Sequence, residues 1–173
     1  MPLSPPIDET SDTVRALLAP LRNDFSVALY AFGNAFAAGA VIRTAHSFLV
    51  QEIFMVGTEP MYEKASMGME KFETVVRCAD DGEFLARVGN RPLICFEREH
   101  AQRSVYAVDA FPPGAVFMFG SERFGIPPHI LARAHEVLAI PMHGINNSLP
   151  VVVAAGIAMS EWSRRYYTGG RTR

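Results

Sequence analysis

Short, continuously apolar runs set between helix-like segments constrain this chain more than any other feature. Val27-Ala28-Leu29-Tyr30-Ala31, Ile53-Phe54-Met55-Val56-Gly57, Pro92-Leu93-Ile94-Cys95-Phe96, Val116-Phe117-Met118-Phe119 and Val137-Leu138-Ala139-Ile140 are apolar at nearly every position. A strand with one wet face alternates in polarity, whereas a strand covered on both faces does not. Thr74-Val75-Val76-Arg77 adds a shorter strand. Residues 37–48, 81–88, 127–134 and 148–166 read as helices. Residues 13–21 place Val14, Leu17, Leu18 and Leu21 at helical spacing, with Pro20 shortening or bending the end. Strands alternating with helices predict an α/β domain whose mainly parallel sheet is flanked by helices. The strand order is not resolved at this level.

At 173 residues, 49% hydrophobic and 20% charged, the chain fits one domain with a full core and is not disordered. The expected division is a tail and short helix over residues 1–22, one domain over 23–167 and a Gly/Arg-rich tail over 168–173. No basic leader and no apolar run of roughly 20 residues is visible, so a soluble cytoplasmic protein without a membrane partner is expected. Cys78 and Cys95 are far apart and form no CxxC pair, which predicts reduced thiols and neither a disulfide nor a zinc site. His46, His100, His129, His135 and His143 show no metal-binding spacing, and no metal is expected. The net charge of −2 excludes capture of nucleic acid by the overall field; only a local patch could do it. Apart from Lys64 and Lys71 every basic residue is arginine, either a set of phosphate-matching forks or a compositional bias.

Ligands of open α/β sheets bind beyond the carboxyl ends of strands. Three strand ends carry unusual residues here: 34–43, 119–127 and 140–149. Arg43 lies between Val41-Ile42 and Thr44-Ala45, in an otherwise apolar helix. It either snorkels or pairs with a structural carboxylate, or it is aimed at a phosphate. Glu122 is either a turn residue or a carboxylate that partners a cation or a ligand hydroxyl. Gly120, Gly125 and Gly144 allow close backbone approach or positive φ. Ile140 and Met142, beside Gly144 and Leu149, are either core or one side of a slot for a flat ring. Ser148 reads as the N-cap of the last helix, with Pro150 in its first turn. Neither GxGxxG nor GxxxxGK[ST] is present, and no GxSxG elbow appears.

Taken together, these stretches resemble the motifs of the SpoU (TrmH-like) branch of the SPOUT RNA methyltransferases, in a minimal single-domain form. Gly39-Ala40-Val41-Ile42-Arg43-Thr44-Ala45 is similar to motif 1, and Phe119-Gly120-Ser121-Glu122 with Gly125-Ile126-Pro127 to motif 2. Ile140-Pro141-Met142, Gly144, Ser148-Leu149 and Val153-Ala154-Ala155-Gly156-Ile157-Ala158 are similar to motif 3. The resemblance implies a C-terminal trefoil knot, an exception to unknotted topology. It implies S-adenosyl-L-methionine bound bent by the motif 2 and 3 loops, a homodimer, and metal-free methyl transfer to a ribose 2′-OH of RNA, with tRNA favoured over rRNA. Arg43, Glu122 and Ser148 become the expected catalytic residues. Phe119, Gly120, Ser121, Ile140, Met142, Gly144, Ser148 and Leu149 become the expected cofactor contacts. Asn34, Arg43, Arg15 and Arg22 are the expected RNA contacts, with Arg98, Arg103, Arg164 and Arg165 as further surface candidates.

Two positions depart from the family pattern. Ala37 stands six residues before Arg43, where an asparagine is usual, and Pro150 replaces the asparagine of Ser-Leu-Asn. They motivate a second reading, a non-catalytic homologue that binds RNA or S-adenosylmethionine. In either case a chain of this length and charge is expected to assemble its RNA footprint from scattered arginines of a dimer.

Overall fold

The computed structural model describes residues 8–31, 34–121 and 123–166. Seven strands form one sheet: β1 (Phe25–Tyr30), β2 (Ile53–Val56), β3 (Val75–Cys78), β4 (Leu93–Phe96), β5 (Arg103–Ser104), β6 (Ala115–Phe119) and β7 (Glu136–Ala139). The spatial order is β3-β2-β1-β6-β4-β7-β5, and every pairing is parallel. Five helices accompany it: α1 (Ser11–Leu18), α2 (Ala35–Ser47), α3 (Asp81–Val88), α4 (Pro128–Arg133) and α5 (Val151–Tyr166). The expected α/β class is thus the observed one. The two-residue strand β5, at the sheet edge, has no apolar run and went unpredicted. Pro20 does shorten the first helix, which continues as a 3₁₀ turn over Ala19–Leu21.

Both faces of the sheet are covered, as the apolar runs require. All six residues of β1 and all five of β6 are buried. Alternate side chains divide between two cores. Phe25, Val27, Leu29, Phe117 and Phe119 join Trp162 of α5 on one side. Ala28, Tyr30, Val116 and Met118 join Phe84 of α3 on the other. The Phe25 and Trp162 ring centroids are 4.5 Å apart. Cys78 and Cys95 are free and buried within the second core, and burial pushes the Cys95 thiol up to about 12. Among the described residues no helix is long and apolar enough to cross a membrane, and no cluster of three or more potential metal ligands occurs.

The last helix departs from expectation at its start. It begins at Val151, and Pro150 supplies the carbonyl that accepts from Val153 N at 2.9 Å and Ala154 N at 3.1 Å. Ser148 lies outside the helix and is not its N-cap; its backbone N–H donates instead to Asn146 Oδ1 at 3.3 Å. The apolar opening of α5 is buried on one side only. One face meets α2 and the sheet, whereas Val153 remains 43% exposed.

Several arginines hold the fold. Arg22 donates to Glu73 Oε2 at 2.6 Å, to the Val50 carbonyl at 2.6 Å and to the Phe72 carbonyl at 2.9 Å. The other oxygen of Glu73 meets His46 Nδ1, at the end of α2, at 2.8 Å. The Arg22 side chain is 8% exposed and that of Glu73 0%. The expected RNA contact at Arg22 is therefore corrected: its guanidinium is spent on an internal network and is covered. Arg165 is likewise buried, donating to the Val105 and Val108 carbonyls and to Glu161. Arg103 pairs with Glu136, and Arg91 bridges Glu52, Ser26 and the Gly114 carbonyl at the amino ends of β1, β2 and β6.

Breaking a buried ion pair from one side leaves the other charge unpaired. Glu73→Ala is expected to lower the unfolding free energy in urea by about 3–5 kcal/mol. Arg22→Ala should be similarly destabilising.

Hydrogen bonds from Arg164, reinforced by Arg165, hold the Glu161 carboxyl below its usual range against the opposing effect of burial. A depressed folded-state value contributes stability above the unfolded-state carboxyl range, and that stability is lost as pH falls through the folded value. Glu161→Gln should accordingly lower the melting temperature at neutral pH, and the difference from wild type should vanish in strong acid.

Candidate functional site

The sheet order reverses direction between β1 and β6: β2 and β3 extend one way, and β4, β7 and β5 the other. Such a switch point leaves a crevice beyond the strand ends. Two cavities lie there.

The first, about 220 Å³, is built on the ends of β6, β4 and β7 and on the start of α5. Phe119, Gly120, Ser121, Ile140, Met142, Ser148 and Leu149 line it, although they come from two stretches far apart in sequence. Gly144 is exposed in the loop after β7 and does not line it. Glu97, Arg98 and Asn147 line it as well and were not anticipated. Glu97 and Arg98 directly follow the last residue of β4, so strand-end position alone could have flagged them.

The loop after β6 owes its shape to two glycines. Ser121 N donates to the Gly125 carbonyl at 3.1 Å, and Gly125 N returns a bond to the Ser121 carbonyl at 2.9 Å. Ser121 Oγ accepts from Phe124 N at 3.0 Å. A Cβ at position 120 would stand 2.4 Å from the Gly125 carbonyl carbon, so no side chain fits. Gly125 itself has φ +65°, a conformation that L side chains rarely adopt. Glu122 lies outside the described residues.

The second cavity, about 530 Å³, shares Gly120, Ser121 and Val151 with the first. Leu29, Tyr30, Asn34, Ala37, Ala38, Glu59, Arg123 and Phe124 complete it. Asn34 caps α2, its Oδ1 accepting from Ala37 N at 3.0 Å. Ala37, at the position of a usual family asparagine, forms part of the wall. Tyr30 donates to Asp81 Oδ1 at 2.8 Å. Burial, then that bond, pushes its phenol upward, so it stays protonated and is no general base.

Arg43 lines neither cavity. It is exposed on α2 and has no hydrogen-bond or ion-pair partner through its side chain among the described residues. The structural-carboxylate alternative therefore has no support, and the guanidinium faces solvent. Arg15 is exposed too, 3.9 Å from Asp12, a separation worth little at a surface.

The first cavity offers what a nucleoside carrying a polar tail needs. Leu138, Ile140, Met142 and Leu149 supply apolar faces for a flat ring. Exposed Asn147 and Ser148 supply polar groups on the same cavity. Glu97 is a half-buried carboxylate with no hydrogen-bond or ion-pair partner among the described residues. The donor set and the glycine-shaped backbone fit S-adenosylmethionine.

A parallel α/β sheet with adjoining cavities at its switch point, walled by a glycine loop and the start of the last helix, defines a nucleoside-binding α/β protein. Comparison with known proteins narrows the class. The model of the SpoU rRNA Methylase family matches residues 24–160, and the chain belongs to that family. It is 33% identical over 137 residues to a tRNA (guanosine(18)-2′-O)-methyltransferase of Thermus thermophilus, covering 76% of this chain and 70% of that protein. A solved structure concerned with the 2-OH methylation of C/U34 on tRNA superposes with a TM-score of 0.73 at 26% identity, covering 82% of this chain and 95% of the other. The AdoMet-bound rRNA methyltransferase of Sinorhizobium meliloti shares the fold at a TM-score of 0.75 and 24% identity, covering 90% of this chain, which spans 61% of that one.

Gly120→Ala tests the first cavity. The clash with residue 125 must displace the loop, so affinity for S-adenosylhomocysteine by calorimetry is expected to fall at least about tenfold while the fold persists by circular dichroism.

Proposed function

We propose that this protein is an S-adenosylmethionine-dependent RNA 2′-O-ribose methyltransferase acting on tRNA in preference to rRNA. One observation carries the reading: residues of motifs 2 and 3, with Asn34, Ala37 and Ala38 just ahead of motif 1, converge on two cavities that share the wall formed by Gly120, Ser121 and Val151. One cavity suits the cofactor, and the other stands beside it with space for a nucleotide. The tRNA preference draws support from relatives named for tRNA, one of which this chain covers almost end to end.

The bound cofactor supplies an electrophilic methyl group. The chain must then hold a poor nucleophile, a ribose hydroxyl, in line and ease removal of its proton. Arg43 positions the target phosphate and stabilises negative charge that develops near it; an arginine remains charged and is suited to that role rather than to acting as a base. Ser148 contributes hydrogen bonds from the cofactor cavity, Asn34 contacts the nucleotide from the second cavity, and Glu122 orients Arg43 or the glycine loop. Arg15 extends the RNA footprint.

Residues 23–167 form the methyltransferase domain on this reading, and the segment from β6 through α5 threads the trefoil knot of the family. The protein works as a cytoplasmic homodimer. Phe36 on α2 is 62% exposed, Val153 on α5 is 43% exposed, and these two helices pack together. Exposed apolar side chains on two packed helices support association through this side of the protein. The same contact would bring Arg43, further along α2, toward a partner's site.

Ala37 and Pro150 leave the non-catalytic reading as the competitor. The relatives named for 2′-O-methyl transfer support the enzyme instead, and Pro150 serves as the carbonyl that starts α5. The test is transfer of tritiated methyl to bulk tRNA and rRNA with 2′-O-methyl mapping. Incorporation into tRNA is expected, and Arg43→Ala should reduce it by about a hundredfold or more without altering cofactor affinity. Absence of incorporation into any RNA would sink the proposal.

A further inference from the structure

Glu97 is the only carboxylate lining the first cavity among the described residues. It follows Phe96, the last residue of β4, and its backbone N–H donates to the Leu138 carbonyl at 3.1 Å. That bond sets the residue beside the apolar slot. Its carboxylate occupies the space left by the missing side chain of Gly125, where a Cβ would meet Oε2 at 2.9 Å. The adjacent Arg98 does not neutralise it; its nearest carboxylate is that of Glu99, at 3.8 Å. A half-buried carboxylate without donors is costly, and more so once a ligand removes its remaining water. The ligand that fills this cavity must bring donors to it.

Resting on the cofactor reading above, we propose that Glu97 accepts hydrogen bonds from the 2′- and 3′-hydroxyls of the cofactor ribose. A vicinal diol presents two O–H donors to the two oxygens of one carboxylate. An acidic residue beyond a strand end meets a ribose hydroxyl in the same way in dinucleotide-binding α/β proteins. The cofactor's other donors are the exocyclic amine of its adenine and the ammonium of its amino-acid end. That end is a zwitterion and favours water, and exposed Asn147 and Ser148 offer it a wetter place. Glu97 instead is hydrogen-bonded through its backbone to Leu138, one of the apolar residues that suit the base, to which the ribose is directly bonded.

Calorimetry on the full chain separates these donors. The ligands are S-adenosylhomocysteine, 5′-methylthioadenosine, which lacks the amino-acid end, and 2′,3′-dideoxy-5′-methylthioadenosine, which also lacks the diol. Glu97→Ala is expected to weaken both diol ligands by about 10–100-fold and to leave the dideoxy ligand within about twofold of wild type. Glu97→Gln, keeping one carbonyl acceptor, should fall between, and it carries the same comparison if the alanine variant does not fold. Unchanged affinity for the diol ligands in a variant with wild-type melting temperature overturns the proposal alone. A loss confined to S-adenosylhomocysteine assigns the carboxylate to the ammonium, a similar loss for all three ligands assigns it to the adenine amine, and either overturns the proposal. Failure of the wild type to bind any of the three removes the cofactor reading, and this proposal with it.

Discussion

The parallel sheet, buried on both faces, is the constraint on which the rest depends. Parallel pairing obliges each return of the chain to cross over the sheet, and the crossovers supply the helices that cover it. It also makes the two ends of the sheet inequivalent. At the amino ends, Arg91 ties Ser26, Glu52 and the Gly114 carbonyl together, and Arg22 binds Glu73 under the end of α2. At the carboxyl ends the loops after β4, β6 and β7 are left to line cavities. One end is cross-linked by ion pairs, of which Arg22–Glu73 is buried, and the other is available for chemistry.

This division recasts the arginine-rich composition. Arg22, Arg91 and Arg165 are structural, each donating to backbone carbonyls as well as to a partner side chain. A guanidinium has five N–H donors in a fixed fork, enough to satisfy several acceptors at once where a lysine could not do so with the same geometry. Arg15, Arg43 and Arg98, by contrast, are exposed and stand outside these networks.

Strand and helix positions were legible because burial on both faces writes itself as uninterrupted apolar sequence. Ile53 to Val56 and Leu93 to Phe96 lie within a residue of their predicted runs at either end. The edge strand β5 was not legible, since Arg103 and Ser104 carry neither period nor apolar content. The glycine loop and the slot residues were legible through motif resemblance, and their convergence needed the fold. Three things escaped. Ser148 looked like a cap because serine often is one, but proline supplied the first carbonyl. Arg22 looked like a surface cation because its partner, Glu73, is 51 residues away. Glu97 carried no motif, and its meaning depends on Gly125, which only tertiary structure places against it.

The pair of backbone bonds joining Ser121 and Gly125 has an entropic corollary. Ser121 and Gly125, fixed to each other during folding, need not be ordered again by an occupant of the cavity. Because this rim of the cavity is held by main-chain atoms, most side-chain changes around it would leave its curvature intact. Variation among relatives could then alter what is recognised beside the cofactor without rebuilding the seat of the cofactor itself.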